Sequence, residues 1–289
     1  MQRRVAVVTD STADLPRELA SRLGVSVVQL QLQVGRTWNE ELRVPTEQVV
    51  GAMYHDIPVT TAPPKPETFF WAYQDLAYRG HEAIVSLHIS SRMSETIKAA
   101  RQAAQQVRTP VYVVDSLTTA MSLGWAVVAA AEAAEAGGDV AAVIGAAQQR
   151  CRDTIQLLYV DTLEYLRRGG RIGAARALLG TALSIKPLLT VEEGEVAPLD
   201  QFRGAERAVK KLVEFAVKNA GKRPVDIAVE HFAAPEQAEA LLHRLRKKIP
   251  NAREFVATQT STIIGIHVGP GALGVSVSPL ATDRTPSRI

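Results

Sequence analysis

The residues of this chain best placed for chemistry are hydroxyls set where a strand gives way to a helix. Ala83 to Ile89 is a short apolar, β-branched run. It is followed by Ser90-Ser91-Arg92-Met93-Ser94-Glu95-Thr96 and then by an Ala-rich segment of helical composition. In open α/β sheets ligands bind beyond the carboxyl ends of the strands, where the first turn of the next helix offers free N–H groups to an anion. Ser91 or Ser94 can serve there as an anion ligand or simply as a helix cap. Thr60 and Thr61 form a second hydroxyl pair within Pro58-Val59-Thr60-Thr61-Ala62-Pro63-Pro64-Lys65-Pro66. The prolines exclude helix and stiffen an extended backbone, so this segment either presents the threonines or acts only as a rigid connector. His267 could serve as base to a serine nucleophile, a pairing that spacing alone does nothing to recommend.

The elements that must position these groups follow from patterning. Arg4 to Thr9 reads as a buried strand ending in Asp10-Ser11-Thr12-Ala13-Asp14, a cluster of capping residues before a helix with Pro16 in its first turn and Gly24 at its close. Val25 to Val34 alternates like a half-exposed strand, Gly35 to Pro45 reads as a surface loop, and Thr46 is placed to cap a helix to about His55. A helix from Glu67 to Tyr78, a strand from Pro110 to Asp115, and helices from Leu123 to Ala136 and from Asp139 to Arg152 complete the first part. This alternation predicts a mainly parallel sheet with helices on both faces.

From residue 155 the pattern changes. Ile155 to Val160 is a strand, a short helix ends at Gly169-Gly170, and Leu188–Val191 and Val196–Leu199 flank the turn Glu192-Glu193-Gly194-Glu195 as a hairpin. Gly204–Asn219 and Pro235–Lys248 are helical, and Val225–Glu230 and Phe255–Thr260 are strands. The fold expected is α/β in two domains. Residues 1–155 form an N-terminal domain with a parallel sheet, and 156–280 an α+β domain with a mixed or antiparallel sheet. Residues 281–289 form a tail, and segment 58–66 is free to reach the other domain.

Composition narrows the function. The chain has 289 residues, 46% of them hydrophobic, with a formal net charge of +3, enough for a large core but without the concentrated basic face of a nucleic-acid binder. The lone Cys151 has no disulfide partner and no metal-ligand spacing around it, so no metal site is expected and a reducing cytoplasm is the natural setting. Met1 to Ala13 holds only a four-residue apolar run, too short for a signal peptide, and no apolar run reaches membrane-spanning length. Gly269-Pro270-Gly271-Ala272-Leu273-Gly274 spells G-x-G-x-x-G, but Pro270 stiffens the turn and Val275-Ser276-Val277 reads as strand where a phosphate-binding helix should open. No Walker loop and no G-x-S-x-G elbow is present. Arg167, Arg168, Arg171, Arg176, Arg203 and Arg207 gather around glycine-marked turns, as a solvated face or as a contact for phosphate or an acidic protein.

Five segments in order carry a resemblance. Val7-Val8-Thr9-Asp10-Ser11-Thr12-Ala13-Asp14-Leu15-Pro16, Thr60-Thr61-Ala62-Pro63, His88-Ile89-Ser90-Ser91, the run from Asp161 to Ile172, and His267-Val268-Gly269-Pro270-Gly271-Ala272 together resemble the DegV family of bacterial fatty-acid-binding proteins. The resemblance implies an acyl chain in an apolar tunnel between two domains, with Ser91, Thr60 or Thr61, and His267 around its carboxylate. Arg171 and Arg203 would face the phosphorylated head group or a partner fatty acid kinase. That partner uses the ATP, so no catalytic residue and no cofactor other than the bound fatty acid is expected here. The product, an acyl phosphate, would go to phospholipid synthesis, with transient acyltransferase or membrane-surface contact and no nucleic acid. The alternatives are an acyl-ester hydrolase using Ser91 and His267, and a regulatory lipid sensor. Two departures from the family pattern stand out: Ala62 where Gln is common, and Glu95 where Gly is expected.

Overall fold

Two strands that read as unbroken apolar runs do so because both faces of their sheet are covered. The computed structural model describes residues 4–180 and 184–280, and the expected tail 281–289 lies outside them. The strands are β1 (Val5–Asp10), β2 (Ser26–Val28), β3 (Gln31–Val34), β4 (Thr37–Glu40), β5 (Val59–Ala62), β6 (Ala83–His88) and β7 (Val111–Asp115). They continue as β8 (Ile155–Tyr159), β9 (Ile185–Glu192), β10 (Glu195–Arg203), β11 (Val225–His231), β12 (Ala252–Gln259) and β13 (Leu273–Pro279). β1 and β6 are the central pair of a parallel sheet of order β2-β1-β6-β7. A mixed six-stranded sheet runs β10-β9-β8-β13-β11-β12, with only β11 and β12 parallel. The fold is thus a mixed α/β arrangement of the expected class.

The sheets share a helical layer. Helices Ala120–Glu135 and Val140–Asp153 pack on Val5, Val7, Val85 and Leu87 of the parallel sheet, and the same apolar cluster includes Ala228 and Val256 of the mixed sheet. Small residues make this close sandwich feasible: Ala126, Ala130, Ala131 and Ala134 are buried along the first of these helices. Helices Pro66–Tyr78 and Thr96–Ala104 cover the other face of the parallel sheet, and Ala205–Ala220 and Pro235–Lys248 the other face of the mixed one.

Three local expectations differ from what forms. The segment read as one strand over 25–34 breaks at Gln29-Leu30, because Ser26–Val28 pairs with β1 while Gln31–Val34 joins a separate antiparallel sheet, β4-β3-β5. Gly35 to Pro45 is not an open loop: Gly35, at φ +61°, turns β3 into β4, and a 3₁₀ turn at Glu41–Arg43 follows. Thr46 opens helix Thr46–Tyr54 without capping it, since its hydroxyl instead accepts from Gln259 Nε2 at 2.8 Å. The G-x-G-x-x-G run does lead into a strand, β13.

Candidate functional site

A mainly apolar cavity lies where the small sheet, the loop after β6 and the mixed sheet meet. Its wall includes Leu30, Ile89, Leu158, Leu166, Ile263 and Val268, a lining suited to a hydrocarbon and not to a nucleotide. Polar groups enter the wall at separate places. One set is Thr61, Ser94, Arg171 and His267, and another includes Glu230, Gln156 and Thr119.

His267 lies near the end of the short helix Thr262–Val268 and bonds Thr61 Oγ1 through Nε2 at 2.9 Å. Its Nδ1 is buried without a hydrogen-bond partner. Burial first, and then the Arg171 guanidinium, push the imidazole down to about 4, so it is neutral near pH 7. In the tautomer with the proton on Nε2 the ring donates to Thr61 Oγ1 and leaves the threonine O–H to donate onward; in the other it accepts from that hydroxyl. Arg171 bridges the mouth, Nε–H donating to the Met93 carbonyl at 3.0 Å and Nη1 to the Gly169 carbonyl at 2.7 Å.

Two glycines let the parts close together. A Cβ on Gly169 would collide with His267 Nδ1, and one on Gly269, at φ +83°, would collide with the Tyr165 ring. The turn after Tyr165 therefore yields to His267, and the turn after His267 yields to Tyr165, so the Gly169-Gly170 and Gly-Pro-Gly segments interlock.

The acidic residues at the end of β1, expected as caps, reach much further. Asp10 Oδ1 accepts the Thr12 N–H at 3.0 Å, and its Oδ2 meets His88 Nδ1 at 2.9 Å and the Ile89 N–H at 3.1 Å. His88 Nε2 continues to Ser86 Oγ at 2.7 Å and on to Tyr73 OH at 2.8 Å, all fully buried. This chain fixes the start of the loop that carries Ser90 to Ser94. Asp14, at φ +52°, accepts the Ser261 N–H at 2.8 Å and the Thr260 hydroxyl, and Glu41 accepts Ser261 Oγ at 2.7 Å. Two acids from the N-terminal part thus hold the start of the helix bearing His267. Burial and then the Glu230 charge push Asp14 well above the usual carboxylate range.

Of the residues singled out from the sequence, Thr61 and His267 are brought together in the wall. The strand alternation of β5 turns Thr60 away from this cavity and into a neighbouring cleft, which it lines with Tyr165, Arg168, Arg171 and His267. Ser91 is exposed and outside the wall, its N–H donating to Asp115 Oδ1 at 3.2 Å; the serine that lines the cavity is Ser94. Ser90 Oγ donates to the Gly194 carbonyl at 2.7 Å, tying the loop to the β9–β10 turn. Arg171 is at the mouth, whereas Arg203 is exposed at the end of β10, outside the wall. Ala62 lines the cavity, and Glu95 points away, its side chain 73% exposed and facing Lys98. Glu230 and Gln156 were missed. Their signal was a charged or amide residue inside an otherwise apolar strand, which implies a buried partner.

Fold and site together define a class: an α/β protein with an apolar cavity between two sheet systems and a small polar mouth. A family model described as "Uncharacterised protein, DegV family" matches residues 4–280, and the chain belongs to that family. A DegV domain-containing protein of Streptomyces coelicolor is 47% identical over 279 residues, covering 96% of this chain and 99% of that one. A DegV family protein from Thermus thermophilus, described by its fatty acid binding, superposes with TM-score 0.91 at 32% identity, covering 96% of this chain and all of its own. DegV of Bacillus subtilis, described as a fatty acid binding protein, gives TM-score 0.87 at 27% identity, over 96% of this chain and 100% of that one.

Proposed function

We propose that this protein binds a long-chain fatty acid in the cavity, with the carboxylate at Thr61, Ser94 and His267, and presents it to a separate ATP-dependent fatty acid kinase. The observation that carries the reading is the Thr61–His267 pair set in the wall of an otherwise hydrocarbon-like cavity. Burying an acyl chain of about 16 carbons gains roughly 0.8 kcal/mol per CH₂, on the order of 10 kcal/mol before ordering costs. The fatty-acid binding described for the Thermus and Bacillus relatives supports the same ligand class.

The polar end fits a carboxylate that must stay reactive. A neutral imidazole orients the Thr61 hydroxyl to donate to one carboxylate oxygen, and Arg171 supplies positive field without the bidentate clamp that would neutralise the anion. An oxygen held this way remains able to attack a γ-phosphorus in the partner's site. The resulting acyl phosphate would then be carried to an acyltransferase of phospholipid synthesis, in the cytoplasm. Arg171 and the exposed Arg203 are the residues offered to the kinase or the phosphorylated head. Among the described residues no helix is long and apolar enough to cross a membrane.

The hydrolase alternative has no comparable support, because the hydroxyl that His267 bonds is Thr61 while Ser91 is exposed outside the wall. Mass spectrometry of lipid extracted from the purified protein tests binding, and acyl phosphate formation with added fatty acid kinase and ATP tests presentation. Protein that neither copurifies with nor takes up a long-chain acid overturns the first, and an acid-loaded protein inert to the kinase overturns the second.

A further inference from the structure

The second polar group in the cavity wall makes no sense for a plain hydrocarbon. Glu230, on β11, accepts the Met121 N–H at 2.7 Å and Gln156 Nε2 at 2.7 Å, and Gln156 Oε1 in turn accepts Ser122 Oγ at 2.7 Å. Beside them in the wall, Thr119 Oγ1 is shielded from solvent and has no hydrogen-bond partner. Thr119 immediately precedes helix Ala120–Glu135, yet its hydroxyl makes no capping bond to it. A Cβ on Gly274 would collide with Glu230 Oε2, so the wall is pared to backbone beside the carboxyl. The backbone is held unusually here too, with Leu117 at φ +51° and Ala120 at φ +56° on either side of Thr118-Thr119.

This group is distinct from the mouth. Its hydrogen bonds run among Glu230, Met121, Gln156 and Ser122, whereas at the mouth Thr61 bonds His267. A carboxylate head would be repelled by an ionised Glu230 and is accommodated at the His267 end. An unsubstituted alkyl chain lying along the wall would leave a buried hydroxyl without any partner, and buried polar groups are nearly always paired.

We propose that Thr119 and Glu230 form a polar subsite for an oxygen substituent on the acyl chain, so that the favoured ligand is a hydroxylated long-chain fatty acid. The subsite rests on the fatty-acid reading of the cavity. A chain hydroxyl can accept from the Thr119 O–H and donate to Glu230, so both polar groups are satisfied by one substituent. Burial pushes Glu230 up to about 7, so the carboxyl also has a proton to share at neutral pH.

The test uses the delipidated full chain and displacement of a bound fluorescent fatty acid. The competitors are stearic acid and positional isomers of hydroxystearic acid, with the hydroxyl stepped from mid-chain to the terminal carbon. At least one isomer is expected to compete about tenfold better than stearate, a ratio of one good hydrogen bond. Thr119→Val, of similar shape but without the hydroxyl, brings that ratio close to one, and Thr119→Ser keeps it. Stearate binding with no isomer preferred, or a preference unchanged in Thr119→Val, overturns the subsite and leaves fatty-acid binding standing. Failure of stearate and all isomers to bind overturns both.

Discussion

The neutrality of His267 at physiological pH is set by its burial and by Arg171, and it has two measurable consequences. The first concerns the ligand. Thr61→Val removes the hydroxyl that His267 orients, and a hydrogen bond to a charged group is worth about 1.5–3 kcal/mol, so acid binding should weaken roughly tenfold to a hundredfold in displacement titrations. The substitution keeps β-branching, so β5 should persist and the loss should lie in affinity and not in folding. The second concerns stability. His267 has a folded-state value of about 4 against an ordinary 6.5. Between those values the unfolded chain takes up a proton that the folded one does not, so this residue's contribution is intact above pH 6.5 and is lost as the pH falls towards 4. The loss amounts to about 3 kcal/mol. Urea unfolding of the delipidated protein at pH 7 and near pH 4 should show a smaller stability drop for His267→Asn than for the native chain. Glu230 acts in the opposite sense. Its folded value of about 7 lies above the ordinary 4.5, so its contribution is intact below pH 4.5 and is lost as pH rises through 7, which is why the variant difference is the quantity to read.

Among the elements, the interlock of the two glycine turns gives a sharp prediction. Gly169→Ala places a methyl against His267 Nδ1 and should displace the ring from Thr61, weakening acid binding by at least about tenfold while far-UV circular dichroism stays native. Gly170→Ala meets no atom within contact distance but is held at φ +70°, so its cost should appear in stability and not in binding. Much at this scale was legible in the sequence. Apolar runs and capping residues mark β1, β6, β11 and the long helices, because local patterning and burial agree there. The proline-rich segment reads as extended, and a period of two puts Thr60 and Thr61 on opposite sides, but which of them faces the cavity comes from the structure alone. The choice between Ser91 and Ser94 was not legible, since both lie in an irregular turn with no period to say which side chain faces in. Nor were the partners of Asp14 and Asp10, for capping residues look alike whether they bond the next turn or a chain segment 247 residues away, as Asp14 does with Ser261. The Glu95 departure is harmless because the side chain turns to Lys98.

Across the whole molecule, the two sheet systems share one layer of helices, and a buried ion cluster fastens that layer to the mixed sheet. Asp226, fully buried on β11, receives the Arg150 guanidinium from helix Val140–Asp153, and Arg253 donates to both of its oxygens at 2.9 and 2.6 Å. Arg150 also donates to the Pro279 carbonyl at 3.0 Å, so one side chain joins the helical layer to two adjacent strands. Such a pair adds little over a well-packed apolar substitute, but removing one partner strands the other charge in a medium that cannot solvate it. Asp226→Ala should therefore cost about 3–5 kcal/mol, whereas Arg253→Ala should cost far less, because Arg253 is 42% exposed and leaves Asp226 paired with Arg150. The form of the transition matters as much as its position. All three tryptophans, Trp38, Trp71 and Trp125, lie in the N-terminal part, so their fluorescence reports that part while far-UV circular dichroism reports the whole chain. With Val5, Trp125 and Ala228 in one apolar cluster, the halves should unfold together. The two probes should give coincident urea curves in the native chain, and Asp226→Ala should shift both by the same amount. Separate transitions would mean that the shared layer does not couple the halves, and that the cavity between them can open without either half unfolding.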